Sequence, residues 1–379
     1  MSAPLEGLKV VELARILAGP WIGQTLADLG AEVLKIESPA GDDTRQWGPP
    51  FIERDGDKSA AYFHAANRGK ASMIVDFRDA EQLDNLRRII AEADVLIENF
   101  KVGGLVKFGL DYDTLQKENP RLVYCSVTGF GQDGPYAERA GYDFLIQGMS
   151  GIMDLTGEPA CEPQKIGVAF ADIFSGLYGV IAIQAALAER ERSGLGQQID
   201  ISLLDCMTGV LANQAMNFLA SGESPTRLGN AHPNIVPYQV FEVADGFVII
   251  ACGNDRQFTS LLQVLDLSAL EDDPRFATNP VRVQNRSKLT PLLADALASW
   301  TKSDILQALE RAVVPAGPIN TVAEAFSDPQ TTHRGMKISA QGVPGVRTPI
   351  KFSRSELALD RASPVLGQLW TDPHPYPKP

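Results

Sequence analysis

Residues 9–37 read KVVELARILAGPWIGQTLADLGAEVLKIE. Lys9–Leu13 is a short β-branched run after Gly7 and predicts a strand. Ala18-Gly19-Pro20 interrupts it. Pro20 suits the first turn of a helix, and Trp21–Leu29 follows at helical spacing. Gly30 stops the helix, and Glu32–Glu37 alternates apolar and polar residues as a second strand. Strand, helix and strand in that order predict a parallel pair joined by a right-handed crossover.

Outward from this unit the pattern continues. A helix is expected near Ala80–Ala93, strands at Val95–Glu98 and Leu122–Thr128, and a long helix from about Ser175 to Arg192 that stops at Ser193-Gly194. Alternating strands and helices predict an α/β fold with a Rossmann-like parallel sheet over residues 1–220. After a helix at about Leu203–Ala220 the texture changes. Pro225, Gly229, Pro233 and Pro237 mark a linker or long functional loop. Tyr238–Val243 and Phe247–Cys252 flank Ala244-Asp245-Gly246, a hairpin signal. Helical patterns follow at Arg256–Leu265, Arg286–Ser299 and Ser303–Ala312. Residues 225–330 therefore predict a smaller α+β domain, and residues 331–379 a Pro- and Gly-rich segment returning to the first.

The chain has 379 residues, of which 44% are hydrophobic and 21% charged, so disorder throughout is excluded. With 34 Lys+Arg against 47 Asp+Glu the net charge is -13, which argues against nucleic-acid or anionic-membrane binding. An anionic ligand must be met by local cations and backbone N–H groups. The four cysteines, Cys125, Cys161, Cys206 and Cys252, form no close pair in sequence, and a reduced, cytoplasmic setting is expected. No signal peptide is expected from MSAPLEGLKVVEL, and no membrane span, since apolar runs are short.

Several chemistries lack their motif. The four histidines (His64, His232, His333, His374) are far apart, and no HExxH or paired CxxC occurs, so no metal site is expected. No GxGxxG follows the first strand, although the topology invites one. Neither GxxxxGK[ST] nor GxSxG is present. Four constellations remain. Gly129–Pro135 and Gly141-Tyr142-Asp143-Phe144 form glycine-rich loops after a strand, which fits a ligand loop or an ordinary turn. Asp172 stands in the apolar stretch Gly167–Gly176, where it fits a helix N-cap, the commoner case, or a desolvated carboxylate nucleophile walled by Phe170, Ile173 and Phe174. Arg190–Asp200 fits a helix end, a glycine turn and an edge into a strand. Arg227–Asn234, with Gly229, Asn230 and His232, fits a solvated linker or a substrate lid.

Taken in order, these segments resemble the class III CoA-transferases, the CaiB/BaiF group that includes carnitine, bile-acid and formyl-CoA transferases. The resemblance is carried by Ala18-Gly19-Pro20, Leu29-Gly30-Ala31 with Lys35-Ile36-Glu37, Glu98-Asn99-Phe100, Gly129-Phe130-Gly131, Tyr142-Asp143 with Gln147, Asp172 with Gly176, and Arg190 with Gly194-x-Gly196-Gln197. It implies that Asp172 is the nucleophile. It also implies acyl-CoA contacts around Arg15, Ala18, Val75, Arg78, Asn99, Phe100, Lys107, Arg139, Tyr142 and Asp143. Acyl-CoA is then a substrate and no cofactor is permanently bound. An interlocked homodimer is implied as well. Where family members carry Gln and Arg, this chain has Leu17 and Ser38; Arg15, Arg45 or Arg68 are the cations available to compensate. Arg227, His232 and Arg45 fit equally a site for the second carboxylate of a dicarboxylic acid, such as succinate, and phosphate or surface contacts. Two other functions fit the same segments. An α-methylacyl-CoA racemase would need a second acid–base group where Tyr142 stands. A non-catalytic acyl-CoA-binding protein would not need Asp172.

Overall fold

A computed structural model describes residues 2–370; the last nine residues of the expected C-terminal segment, His374 among them, lie outside the described residues. The described chain divides into two compact units, one of residues 2–152, 165–223 and 329–370, the other of residues 153–164 and 224–328.

The first unit is built on a six-stranded, wholly parallel sheet. Its strands are β1 (Lys9–Glu12), β2 (Glu32–Glu37), β3 (Ala71–Ile74), β4 (Val95–Glu98), β5 (Val123–Thr128) and β6 (Gln198–Ser202), in the order β3-β2-β1-β4-β5-β6. Order therefore reverses between β1 and β4, and open α/β sheets bind ligands beyond the strand ends at such a point. Strands such as β4 are buried on both faces, which accounts for their continuous apolar character. The helices that matter below are α1 (Ala18–Asp28), α2 (Ala80–Ala91), α3 (Asp143–Met149) and α4 (Phe170–Ser193). On α2 the buried residues are Leu86, Ile89 and Ile90, one face at i, i+3 and i+4, and Asp79 caps it by accepting from Glu81 and Gln82 N–H.

Helix α4 begins at Phe170, five residues before the expected start, so Asp172 lies in its first turn and Ala169 is the N-cap. The N-cap alternative for Asp172 is thereby excluded. Nothing local marks this start, because Val168–Ala171 carries no breaker or capping residue. By length and composition alone α4 could cross a membrane, with a mean hydropathy of 1.6 in its most apolar window. Its buried face nevertheless packs in the core of the first unit through Ala171, Ile183 and Ala186, with Gly179 buried on the same helix. A Cβ at Gly176 would meet Trp21 and the Ala18 carbonyl oxygen, so glycine lets α4 lie directly on α1. At the other end Gly194 takes φ +77 and caps the helix, while Arg190 pairs with Asp94 at 2.9 Å and donates to the Arg121 carbonyl.

Several short elements are absent from the sequence reading, among them a hairpin of Phe51–Arg54 with Asp57–Ala60, strand β3, helices Tyr112–Glu118 and α3, and a hairpin of Lys337–Ala340 with Val343–Val346. Each strand or helix spans at most seven residues, too few to show a period. Residues 329–370 belong to the first unit through bonds such as Ser72 N–H to the Gln368 carbonyl and Ala358 N–H to that of Asp28.

The second unit has a three-stranded antiparallel sheet with β8 (Gly246–Ala251) between β7 (Tyr238–Val243) and β9 (Ala316–Pro318). Helices Asp255–Val264, Arg286–Leu297 and Lys302–Arg311 share its core, with Phe258, Leu261, Leu293 and Ile305 buried. Residues 153–164, expected in the large domain, group here instead. Arg227 reaches the Asp154 carboxylate at 2.8 Å, and Gly229 N–H donates to the Gly157 carbonyl at 3.2 Å.

Candidate active site

A cavity of about 500 Å³ opens at the reversal point of the sheet. Its walls come from the segment after β1 (Arg15–Ala18), the segment after β4 (Asn99–Val102 with Gly104, Lys107 and Phe108), the end of β5 (Val127–Gly129), residues Ala137 and Arg139–Tyr142, and Asp172 with Leu203. Of the residues expected at the site, Arg15, Ala18, Asn99, Phe100, Lys107, Arg139, Tyr142 and Asp172 line this one space. Its lining holds four cations, Arg15, Lys101, Lys107 and Arg139, and a single carboxylate, which suits a long anionic ligand with a reactive end.

Asp172 decides the chemistry available. It stands at the third position of α4, where the helix dipole favours the carboxylate. Burial opposes this, and the nearby Asp143 charge adds to the opposition; together they push the Asp172 carboxyl up to about 7. Desolvation therefore wins over the dipole, leaving a carboxylate that is poorly hydrated and correspondingly reactive. Leu17, Val127 and Leu203 are among the apolar residues that line the same cavity. The expected wall of Phe170, Ile173 and Phe174 is not part of the lining; the Phe170 and Phe174 rings meet at 5.5 Å, tilted by 54°, and pack against the core.

Asp143 is not a lining residue. It begins α3, and its carboxylate accepts the Ala171 N–H at 2.8 Å and a bond from Gln147 at 2.7 Å. Gln147, fully buried, in turn accepts the Ile166 N–H at 2.9 Å. The Tyr142-Asp143-x-x-x-Gln147 pattern thus pins the strand of chain that leads into α4. Gly129 and Gly141 lie backbone against backbone, and a Cβ on either would enter the other. Tyr62, which the sequence reading passed over, lies within electrostatic reach of the site: burial and the charges of Asp172 and Asp143 push its hydroxyl up to about 12.

Other expected residues lie elsewhere. Val75 is buried in the core beside β3, and Arg78 chelates the exposed Asp76 carboxylate at 2.8 Å. Phe77 between them touches Phe100 and Phe108 at 6.1 and 5.1 Å, which places this turn behind the cavity wall. The Asn99 side chain lines the cavity but is committed to the backbone, accepting from Arg15 N–H at 3.0 Å and donating to its carbonyl at 2.7 Å. Arg45 and Arg68 cannot stand in for missing ligand contacts: both are buried, Arg45 on Glu37 at 2.8 Å and Arg68 on Asp28 at 2.5 Å. Arg227 is held by Asp154. Gly229, Asn230 and His232 belong to the second unit, where Gly229 has φ +58 and His232 accepts the Asn234 N–H at 3.1 Å.

Beside the main cavity is a smaller one of about 200 Å³ around Glu98. Burial pushes the Glu98 carboxyl up to about 7. Among the described residues no cluster of three potential metal ligands occurs.

Residues 5–369 match CoA-transferase family III. The succinate–glutarate CoA-transferase of Agrobacterium fabrum (strain C58) is 55% identical over 373 residues, 96% of this chain and 93% of that protein. The succinyl-CoA:glutarate CoA-transferase of Homo sapiens is 38% identical over 373 residues, 96% of this chain and 84% of that protein. The crystal structure of a CaiB/BaiF family protein from Brucella suis, 66% identical, superposes with a TM-score of 0.88 over 97% of each chain. A parallel sheet with its cavity at the reversal point, one desolvated aspartate in that cavity and a match over nearly the whole length place this chain in CoA-transferase family III.

Proposed function

We propose that this enzyme moves CoA from a donor acyl-CoA to an acceptor carboxylic acid, with Asp172 as the covalent nucleophile. The observation that carries the reading is a carboxylate in the wall of a cation-rimmed cavity whose pKa burial has raised to about 7. An Asp172 oxygen attacks the thioester carbonyl, the C–S bond breaks, and CoA leaves as thiolate from an aspartyl–acyl anhydride. The thiolate attacks the aspartyl carbonyl and releases the donor acid, leaving an aspartyl-CoA thioester. The acceptor carboxylate attacks that thioester, forming a second anhydride, and the thiolate then takes the acceptor acyl group and frees Asp172. Each step keeps the acyl group activated, so no input of energy is needed. Backbone N–H groups around Gly129 and Gly141 are suited to the oxyanions.

Dicarboxylic acids such as succinate and glutarate are the proposed acid partners. The relatives named for those acids support this, not Arg45 or Arg227, whose guanidinium groups are already paired. A homodimer is part of the proposal, supported by apolar side chains open on the first unit, such as Ile181 at 62% and Leu219 at 71% exposure. Sedimentation should then give twice the mass of one chain. A cytoplasmic setting is proposed on the four free thiols, three of them buried. The decisive experiment is exchange between succinyl-CoA and glutarate followed by mass. Glutaryl-CoA formation is expected. Deuterium washing into an α carbon without CoA exchange would instead favour the racemase reading, and tight CoA binding without exchange the binding-protein reading.

The pH dependence follows from the charges. Only ionised Asp172 can attack, so kcat/KM for the donor should fall below an apparent pKa of about 7. Asp143→Asn keeps an oxygen for the Ala171 N–H but removes the repelling charge. It should move this acid limb down by ~1 unit or less, since burial is the larger cause. A limb that stays in place in this variant would assign the shift to burial alone.

A further inference from the structure

The cavity wall after β1 is held in a conformation that its own residues disfavour. Ile16, a β-branched residue, has φ +73, in the left-handed region that suits glycine. Such a backbone persists only where its surroundings impose it. Three side chains from distant parts of the chain do so. Lys35 Nζ donates to the Ala14 carbonyl at 2.8 Å, Asn99 brackets the Arg15 peptide, and Asp42 accepts the Ile16 N–H at 3.2 Å. Lys35 and Asp42 meet at 3.0 Å and are 0% and 1% exposed. Asp42 is itself fixed by the Thr44 N–H at 3.0 Å and the Thr44 hydroxyl at 2.7 Å. Neither Lys35 nor Asp42 lines the cavity, yet Arg15, Ile16, Leu17 and Ala18 all do, together with Asp172.

We infer that the buried Lys35–Asp42 pair is a positioning device for CoA transfer, holding Ile16 left-handed so that the Arg15–Ala18 wall is preformed around the acyl-CoA. This inference rests on the transfer reading above. A buried ion pair is a weak source of stability, and setting one geometry among several is the use for which it is better suited. Without the pair, Ile16 relaxes to negative φ and the wall shifts. A ligand must then restore it, and affinity drops by the fraction of time the wall is formed.

The test is a rescue. Asp42→Ala should raise the acyl-CoA KM and the CoA Kd by about 30-fold with a smaller change in kcat, and should speed amide exchange in residues 14–17. Adding Ile16→Gly, which adopts positive φ without cost, should bring KM back to within about 5-fold of the unsubstituted enzyme. Asp42→Asn retains an acceptor for the Ile16 N–H, should fall between the two, and serves if the alanine variant does not fold. Unchanged CoA affinity in folded Asp42→Ala, or no recovery with Ile16→Gly, would overturn the inference alone. Failure of the unsubstituted enzyme to bind CoA would overturn the transfer reading and this inference with it.

Discussion

Asp172→Ala is expected to lower kcat for CoA exchange by at least ~10⁴-fold while leaving CoA binding within a few-fold. The carboxylate is the one acidic group in the cavity lining, and the covalent route has no substitute for it. Mass spectrometry of the unsubstituted enzyme quenched with succinyl-CoA should show the chain carrying CoA or an acyl group, and the variant should carry neither. Exchange at the normal rate in the variant would remove Asp172 from the mechanism. Asp172→Asn carries a second, opposite expectation. A carboxyl raised to about 7 in the folded chain and near its ordinary value unfolded binds more protons folded. Its contribution to stability is therefore retained at low pH and lost as pH rises through about 7. Asn lacks that loss. The variant should be more stable than the unsubstituted enzyme at pH 8, by about 1–2 kcal/mol after allowance for partial solvation, and equal to it near pH 4. A folded enzyme that gives up stability to keep its nucleophile dry is the expected cost of reactivity.

Glu12→Ala is expected to be the most damaging change away from the cavity. The Glu12 carboxylate ends β1 fully buried and meets two buried ammonium groups, Lys35 at 3.1 Å and Lys70 at 2.8 Å. Removing it strands both cations, which places the loss at about 3–5 kcal/mol. The two lysines will not suffer equally. Lys35 keeps Asp42 at 3.0 Å. Lys70 keeps only neutral acceptors, the Pro20 carbonyl and Asn67, each at 2.9 Å. Burial already pulls Lys70 down to about 8, so in the variant it should be neutral at pH 7 and part of the penalty should be relieved by raising pH. Thermal melts of Glu12→Ala at pH 7 and 9 would show this as a smaller deficit at the higher pH. A deficit below ~1 kcal/mol at both would mean that water reaches the cluster.

The strands and helices around residues 9–37 were legible because their signals are local. Val10-Val11 is a β-branched pair, Gly30 is a stop, and Glu32–Glu37 alternates; the structure repeats those bounds at β2 and nearly so at β1 and α1. The Asp-Gly hairpin of the second unit was legible for the same reason, although its turn is one residue tighter, Gly246 pairing directly with Val243. Asp172 stood out as an acid in an apolar stretch, and the family pattern supplied its role. Its place in the helix was not legible, because the group that fixes the first turn of α4 is Asp143, 28 residues earlier than the Ala171 N–H it accepts.

By itself, then, the chain's order of residues determined the parallel α/β frame, the two-part organisation and the identity of the candidate nucleophile. These depend on periods and breakers that act between neighbours, and on a pattern of types along the chain. Tertiary structure alone decided which cations line the cavity. Arg15, Lys101, Lys107 and Arg139 do, Arg15 also pairing with the exposed Asp43 at 3.3 Å, while Arg45 and Arg68 are spent on buried carboxylates. It alone raised the Asp172 pKa, and it alone holds Ile16 left-handed through Asp42 and Lys35. Desolvation and charge pairing are set by what lies within a few ångströms in space, and separation along the chain carries no record of that distance.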